Sequence, residues 1–169
     1  METFLRQWLD WPSIVEFMSL PWAWPLSETF HYFGLCLLLG AIGMFDLRVL
    51  GFAKGLPMSK LKQVIPWGVF GFILCVITGM LFVLGFAANL PDDNAYDVIV
   101  RDGFLQLKLI AILLAGLNLG AFYLTGAARA VDQLGPNDEA PAKAKIMAGA
   151  SLVLWTSVIA LGRMIPEGL

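Results

Sequence analysis

VIPWGVFGFILCVITGMLFVLGFAANL, residues 64–90, runs for 27 positions without an Asp, Glu, Lys, Arg or His. About 20 apolar residues in a row cross the roughly 30 Å hydrocarbon core of a bilayer as one α-helix. The stretch therefore reads as a membrane span and not as a helix of a soluble core. Working outward, residues 26–50, 104–124 and 146–165 meet the same length requirement. Hydrophobic residues make up 59% of the 169-residue chain, so the solvent of this fold is lipid. Short connections between sequential spans predict an all-α integral membrane protein, an up-down-up-down four-helix transmembrane bundle. Within residues 64–90, Gly68, Gly71, Cys75 and Gly79 form one stripe of small side chains. Such a stripe lets two backbones approach closely in lipid.

Residues 1–24 have a different pattern. Phe4, Leu5, Trp8, Trp11, Val15 and Met18 recur at helical spacing, with Glu2, Arg6, Asp10 and Glu16 between them. This predicts an amphipathic helix lying in the membrane interface, broken near Pro12. A basic leader, a compact apolar run and a small-residue cleavage site, the marks of a secretory signal, are not found there. Trp22 and Trp24 suit the aromatic belt at headgroup level. The expected organisation is an interfacial segment, 1–24, followed by a four-helix transmembrane domain, 25–169.

Basic residues set the expected orientation. Arg48, Lys54, Lys60 and Lys62 lie between spans one and two, and Arg129, Lys143 and Lys145 between three and four. The other side has Arg6, Arg101 and Arg163, and its central connection carries Asp92, Asp93, Asp97 and Asp102. This seven-to-three split predicts cytoplasmic basic loops and both termini outside. A net charge of −2 argues against nucleic acid as a partner, leaving anionic lipid as the polyanion within reach.

Ionisable residues inside spans are costly, and each is a candidate site. His31 is the single histidine of the chain. It lies roughly 7 Å inside the first span, and Lys108 roughly 6 Å inside the third from the same side, at 1.5 Å per residue. Gly34 and Leu38 share a helix face with His31, and Ala111 and Ala115 sit below Lys108. Small residues under both polar groups predict a slot between spans one and three for a flat, apolar cofactor with a central metal. Haem b fits that description. His31 would ligate the iron. Lys108 could ligate as a neutral amine or neutralise a propionate, Met164 could supply a second ligand, and five-coordinate iron or a ligand from a partner chain would also serve. The partners implied are the lipid bilayer, a quinol or redox partner protein, and a homo- or hetero-oligomer.

A different class of function competes with this one. His31 could simply bond Ser27, Glu28 or a headgroup while Lys108 snorkels to the interface. The chain would then be a non-catalytic membrane anchor or subunit of a larger complex; copper or quinone handling is a third option. Asp46 and Arg48 are expected to be solvated or paired, with a proton relay as the alternative. Cys36 and Cys75 read as small apolar packers. With no CxxC motif and no His/Cys cluster, zinc and iron–sulfur centres are not expected.

His31-Tyr32-Phe33-Gly34-Leu35 resembles the first core helix of the CopD-like membrane superfamily, and Gln106-Leu107-Lys108-Leu109 resembles the leucine–lysine–leucine stretch of its third. That group includes CopD copper-resistance domains and HemJ-type protoporphyrinogen oxidases. Asp46-Leu47-Arg48-Val49-Leu50-Gly51 looks most like small uncharacterised bacterial members. The resemblance implies haem b binding at His31 and a functional role for Lys108. It does not extend to the basic-proline ending of HemJ-type proteins or to the methionine or histidine clusters of copper importers.

Overall fold

The computed structural model describes residues 2–89 and 95–165. Two short helices, α1 (Glu2–Trp8) and α2 (Pro12–Met18), precede the first long helix, α3 (Ala23–Leu50). The second long helix, α4 (Met58–Leu84), is followed by a 3-10 turn at Phe86–Ala88 and the short helix α5 (Ala95–Arg101). The third, α6 (Gly103–Leu124), leads through α7 (Ala127–Asp132) to the fourth, α8 (Ala142–Met164). Helices α3, α4, α6 and α8 are each long and apolar enough to cross a membrane, so the chain is an all-α, multi-pass membrane protein.

Local chemistry moves the helix ends from where hydropathy puts them. Pro25 sits in the first turn of α3, where its missing N–H costs no helical bond, so the helix begins at Ala23. The second span starts at Met58 and runs through Pro66, and it stops at Leu84 because Met18 of α2 packs tightly onto Gly85. Leu90, the expected end of that span, and Asp92 and Asp93 of the acidic connection lie outside the described residues. Gly51 closes α3 in a left-handed conformation at φ 100°, returning its N–H to Leu47 and Arg48 carbonyls. Asp102 caps α6, its Oδ1 accepting from the Leu105 N–H at 2.8 Å.

The long helices pack in the order α4, α3, α8, α6, and α4 makes no broad contact with α6. The α3–α4 crossing is the tightest because it is backbone on backbone. A Cβ placed on Gly71 would come within 2.5 Å of the Gly34 carbonyl oxygen, and one on Gly34 within 2.8 Å of the Gly71 oxygen. Gly68 meets the Ala41 methyl in the same way. The small-residue stripe of the second span is thus the seam between α3 and α4.

At the far end of the bundle the contiguous core gathers Val49, Met58, Leu61, Ala127, Val131, Ala140, Ala144 and Ala148. Arg48 is completely buried there and pairs with no carboxylate among the described residues, so of the two expectations, solvated or paired, it is not solvated and its partners are main-chain carbonyls. Its guanidinium donates to the carbonyls of Leu56 at 2.9 Å, Gly135 at 3.0 Å and Asp138 at 3.3 Å, tying the α3–α4 connection to the α7–α8 connection. Lys62–Asp132 and Lys54–Glu139–Lys145 ion pairs reinforce the same join. Asp46, 5% exposed, is likewise not solvated; it bonds Ser151 of α8. Its Oδ2 has no partner among the described residues.

The amphipathic N-terminal segment is two helices separated before Pro12. Arg6 reaches Asp97 of α5 with two bonds, 2.7 and 2.8 Å, and lies 4.8 Å over the Tyr96 ring. These contacts hold the Arg6 guanidinium still further above its ordinary pKa, Asp97 first and Glu2 second. Phe4, Trp8 and Trp11 remain exposed. One face of the segment is therefore docked on protein, and its aromatic residues are free for the interface.

Candidate functional site

His31 projects from α3 toward α4, not toward α6. Its Nδ1 lies 2.7 Å from Thr78 Oγ1, a partner outside the three that the competing reading offered, Ser27, Glu28 or a headgroup. Ser27 instead faces the Met18 sulfur at 3.9 Å, and Glu28 is exposed. The Phe82 ring meets the imidazole edge-on at 5.5 Å, with Trp24 behind it at 5.2 Å. Gly79 borders the same ring, since a Cβ there would stand 3.8 Å from His31 Cε1. Three residues within little more than one turn of α4, Thr78, Gly79 and Phe82, thus fix the imidazole. His31 Nε2 has no hydrogen-bond partner among the described residues.

Lys108 projects from α6 along α8. A Cβ on Gly162 would lie 3.0 Å from its Nζ and 3.4 Å from its Cε, so the absence of a side chain at Gly162 makes room for the lysine. The ammonium is half-buried and close enough for its charge to act on both the His31 imidazole and the Cys75 thiol. No described carboxylate pairs with it. Residues of all four long helices therefore meet here: the side chains of His31 from α3, Cys75 and Thr78 from α4 and Lys108 from α6, with the bare backbone of Gly162 from α8.

The other residues expected at the site are placed differently. Gly34 is not below a slot facing α6; it is the contact point with α4, filled by Gly71 and Cys75. Ala111 and Ala115 are buried on α6, whose broad partner is α8. Met164 is exposed at the end of α8. Cys75 Sγ donates to the His31 carbonyl at 3.5 Å, so this cysteine packs beside the site, whereas Cys36 is exposed on the lipid side of α3. The small residues that flank the two polar groups are Gly79 and Gly162. Thr78 was the signal available for finding the site's second helix: it is the single hydroxyl-bearing residue between Val64 and Leu84.

Among the described residues no group of three or more His, Cys, Asp or Glu side chains is placed to hold a metal ion. Two shallow lateral grooves of about 290 and 250 Å³ lie on the α3–α4 surface. The first is floored by Ser27 and Thr78, so its wall backs directly onto the residue that bonds His31. Comparison with protein-family models, characterised proteins and solved structures finds no match to this chain.

Proposed function

We propose that this multi-pass membrane protein binds haem b at the His31–Lys108 centre and serves in electron transfer, in the manner its resemblance to the CopD-like superfamily implies. The observation that carries the proposal is the convergence of the chain's single imidazole and a half-buried lysine from helices that are not neighbours, with no carboxylate on Lys108 and no partner on His31 Nε2 among the described residues. His31 would hold the group through Nε2, since Nδ1 is engaged by Thr78. Lys108 supplies either a second donor atom or the positive charge that a propionate needs. Gly79 and Gly162 keep Cβ atoms away from both groups, and the lack of broad contact between α4 and α6 leaves a side of the bundle open. Haem, when bound, supplies reversible one-electron chemistry at its iron. The apolar spans around His31 keep bulk water from the imidazole, and Lys108 sets the local charge.

We place the protein in a bacterial inner membrane with periplasmic termini and with a quinol or a redox protein as partner, on the seven-to-three split of basic residues. Reporter fusions after Lys60 and Asp138 should then register cytoplasm, and one after Asn89 periplasm.

The deciding experiment is the visible spectrum of the full chain, purified after expression with ample haem. A Soret band is expected, lost in His31→Ala because no other histidine can replace it. Lys108→Met should keep the band and shift it, while Lys108→Arg keeps the charge but removes amine ligation. Absence of the band, together with no binding of added haemin, overturns the proposal. It would leave a membrane anchor that docks through the exposed Phe4 and Trp8.

A further inference from the structure

Thr78 is 4% exposed, and its hydroxyl has a single proton to give. Oγ1 stands 2.7 Å from the Leu74 carbonyl and 3.3 Å from that of Cys75, both of which are acceptors only. The proton is therefore committed to the α4 backbone. What Oγ1 presents to His31 Nδ1, 2.7 Å away, is a lone pair. A contact this short between two lone pairs would be repulsive, so Nδ1 must carry the hydrogen. In the neutral ring the second nitrogen, Nε2, is then the unprotonated one. Phe82 packs edge-on against the ring and holds this orientation.

We propose that Thr78 is a positioning residue that locks His31 as the Nδ1–H tautomer and leaves the Nε2 lone pair as the electron-donating face of the centre. What Nε2 donates to rests on the haem proposal above; the tautomer does not. The hydrogen bonds run in one direction, from imidazole N–H to threonine hydroxyl to main-chain carbonyl, so the direction is set by a backbone group that cannot reverse. Serine can replace threonine in this chain of bonds, whereas valine has the same shape and can neither accept nor donate.

A single histidine makes the test direct. The full chain is grown with ¹⁵N-labelled histidine, placed in lipid nanodiscs without haem, and read by ¹H–¹⁵N correlation at a pH where the ring is neutral. All imidazole signals then come from one residue. Wild type and Thr78→Ser should both show a protonated Nδ1 and an unprotonated Nε2. Thr78→Val should move the proton wholly or partly to Nε2, and Thr78→Ala serves the same purpose should the valine variant fail to fold. A protonated Nε2 in wild type, or an unchanged pattern in the valine or alanine variant, overturns the inference. Haemin is then added to the same samples. With the tautomer locked and no Soret band, the haem proposal falls and the role of Thr78 stands. With a Soret band whose apparent affinity is unaffected by the loss of the hydroxyl, while the tautomer moves, the link between Thr78 and ligation is broken.

Discussion

The two ends of the bundle are built on opposite terms. At the Arg48 end, a fully buried guanidinium, three carbonyl acceptors, a contiguous apolar core and two sets of ion pairs converge. At the His31 end, half-buried polar side chains from separate helices meet beside glycines, and Lys108 has no carboxylate partner among the described residues. At the first end the buried guanidinium has three acceptors, and one oxygen of Asp46 is the buried atom left without a partner among the described residues. At the second, a nitrogen and an ammonium are left over. In lipid, where unsatisfied polar groups are expensive, the leftover nitrogen and ammonium are what the proposed site rests on, and the clamped end is the one built for stability.

Substitutions can break this contrast, and the largest effect belongs to the seam that joins the two ends. Gly71→Leu puts a side chain where even a Cβ would stand 2.5 Å from the Gly34 oxygen, so the helices must separate. A loss of about 3 kcal/mol or more is expected in the unfolding midpoint, against roughly 0.5 kcal/mol or less for Ile77→Phe on the exposed side of α4. Equal effects would mean that the seam carries no special load.

Next in size is Arg48→Met, which keeps bulk and strands the Leu56, Gly135 and Asp138 carbonyls. About 2–3 kcal/mol should be lost, with protease cuts appearing in both connecting loops and partial recovery in Arg48→Lys. An unaltered loop digestion pattern would remove the clamp from the account.

Arg6→Ala should act at the opposite end and more weakly, leaving the global unfolding midpoint nearly unchanged while freeing α1 from α5. Its readout is the emission and quenching of Trp8 and Trp11; a large fall in the global midpoint would instead make the cap part of the core.

The smallest effect is acid-dependent. Bonds from Lys54 and then Lys145 hold Glu139 at a pKa of about 2, below its ordinary 4.5. A depressed carboxylate stabilises fully above its unfolded value and loses that contribution as pH falls through its folded one. The loop tie should therefore weaken between about pH 4.5 and about pH 2. Backbone amide shifts of residues 135–140 should follow that titration in wild type and stay flat in Glu139→Gln.

The four spans were legible in the sequence because burial in lipid is a property of each residue in turn, and a window of apolar side chains reports it directly. Which span touches which was not, since faces turned to lipid and faces turned to protein are equally apolar here. Gly34 shows the consequence: one turn below His31, it looked like the floor of a slot facing the third span, yet its missing side chain serves the approach of α4. Arg48 misled for another reason. Its partners are main-chain carbonyls, and a carbonyl leaves no mark in the sequence that a charged residue could be matched to. His31 and Lys108 could be picked out by their cost in lipid, whereas Thr78 gains its part only from the register of α4 against α3.

The bonds of Arg48 also impose an order in time. Leu56 is 8 residues away along the chain, but Gly135 and Asp138 are 87 and 90 residues away. At about 5–20 residues per second, a ribosome needs roughly 5–20 s to deliver those later carbonyls. Until then the guanidinium has one of its three acceptors and must stay in the headgroup water, holding the end of α3 at the surface. The first two spans can enter the bilayer at once, yet the end that gives the bundle its stability closes only after the α7–α8 connection has been made.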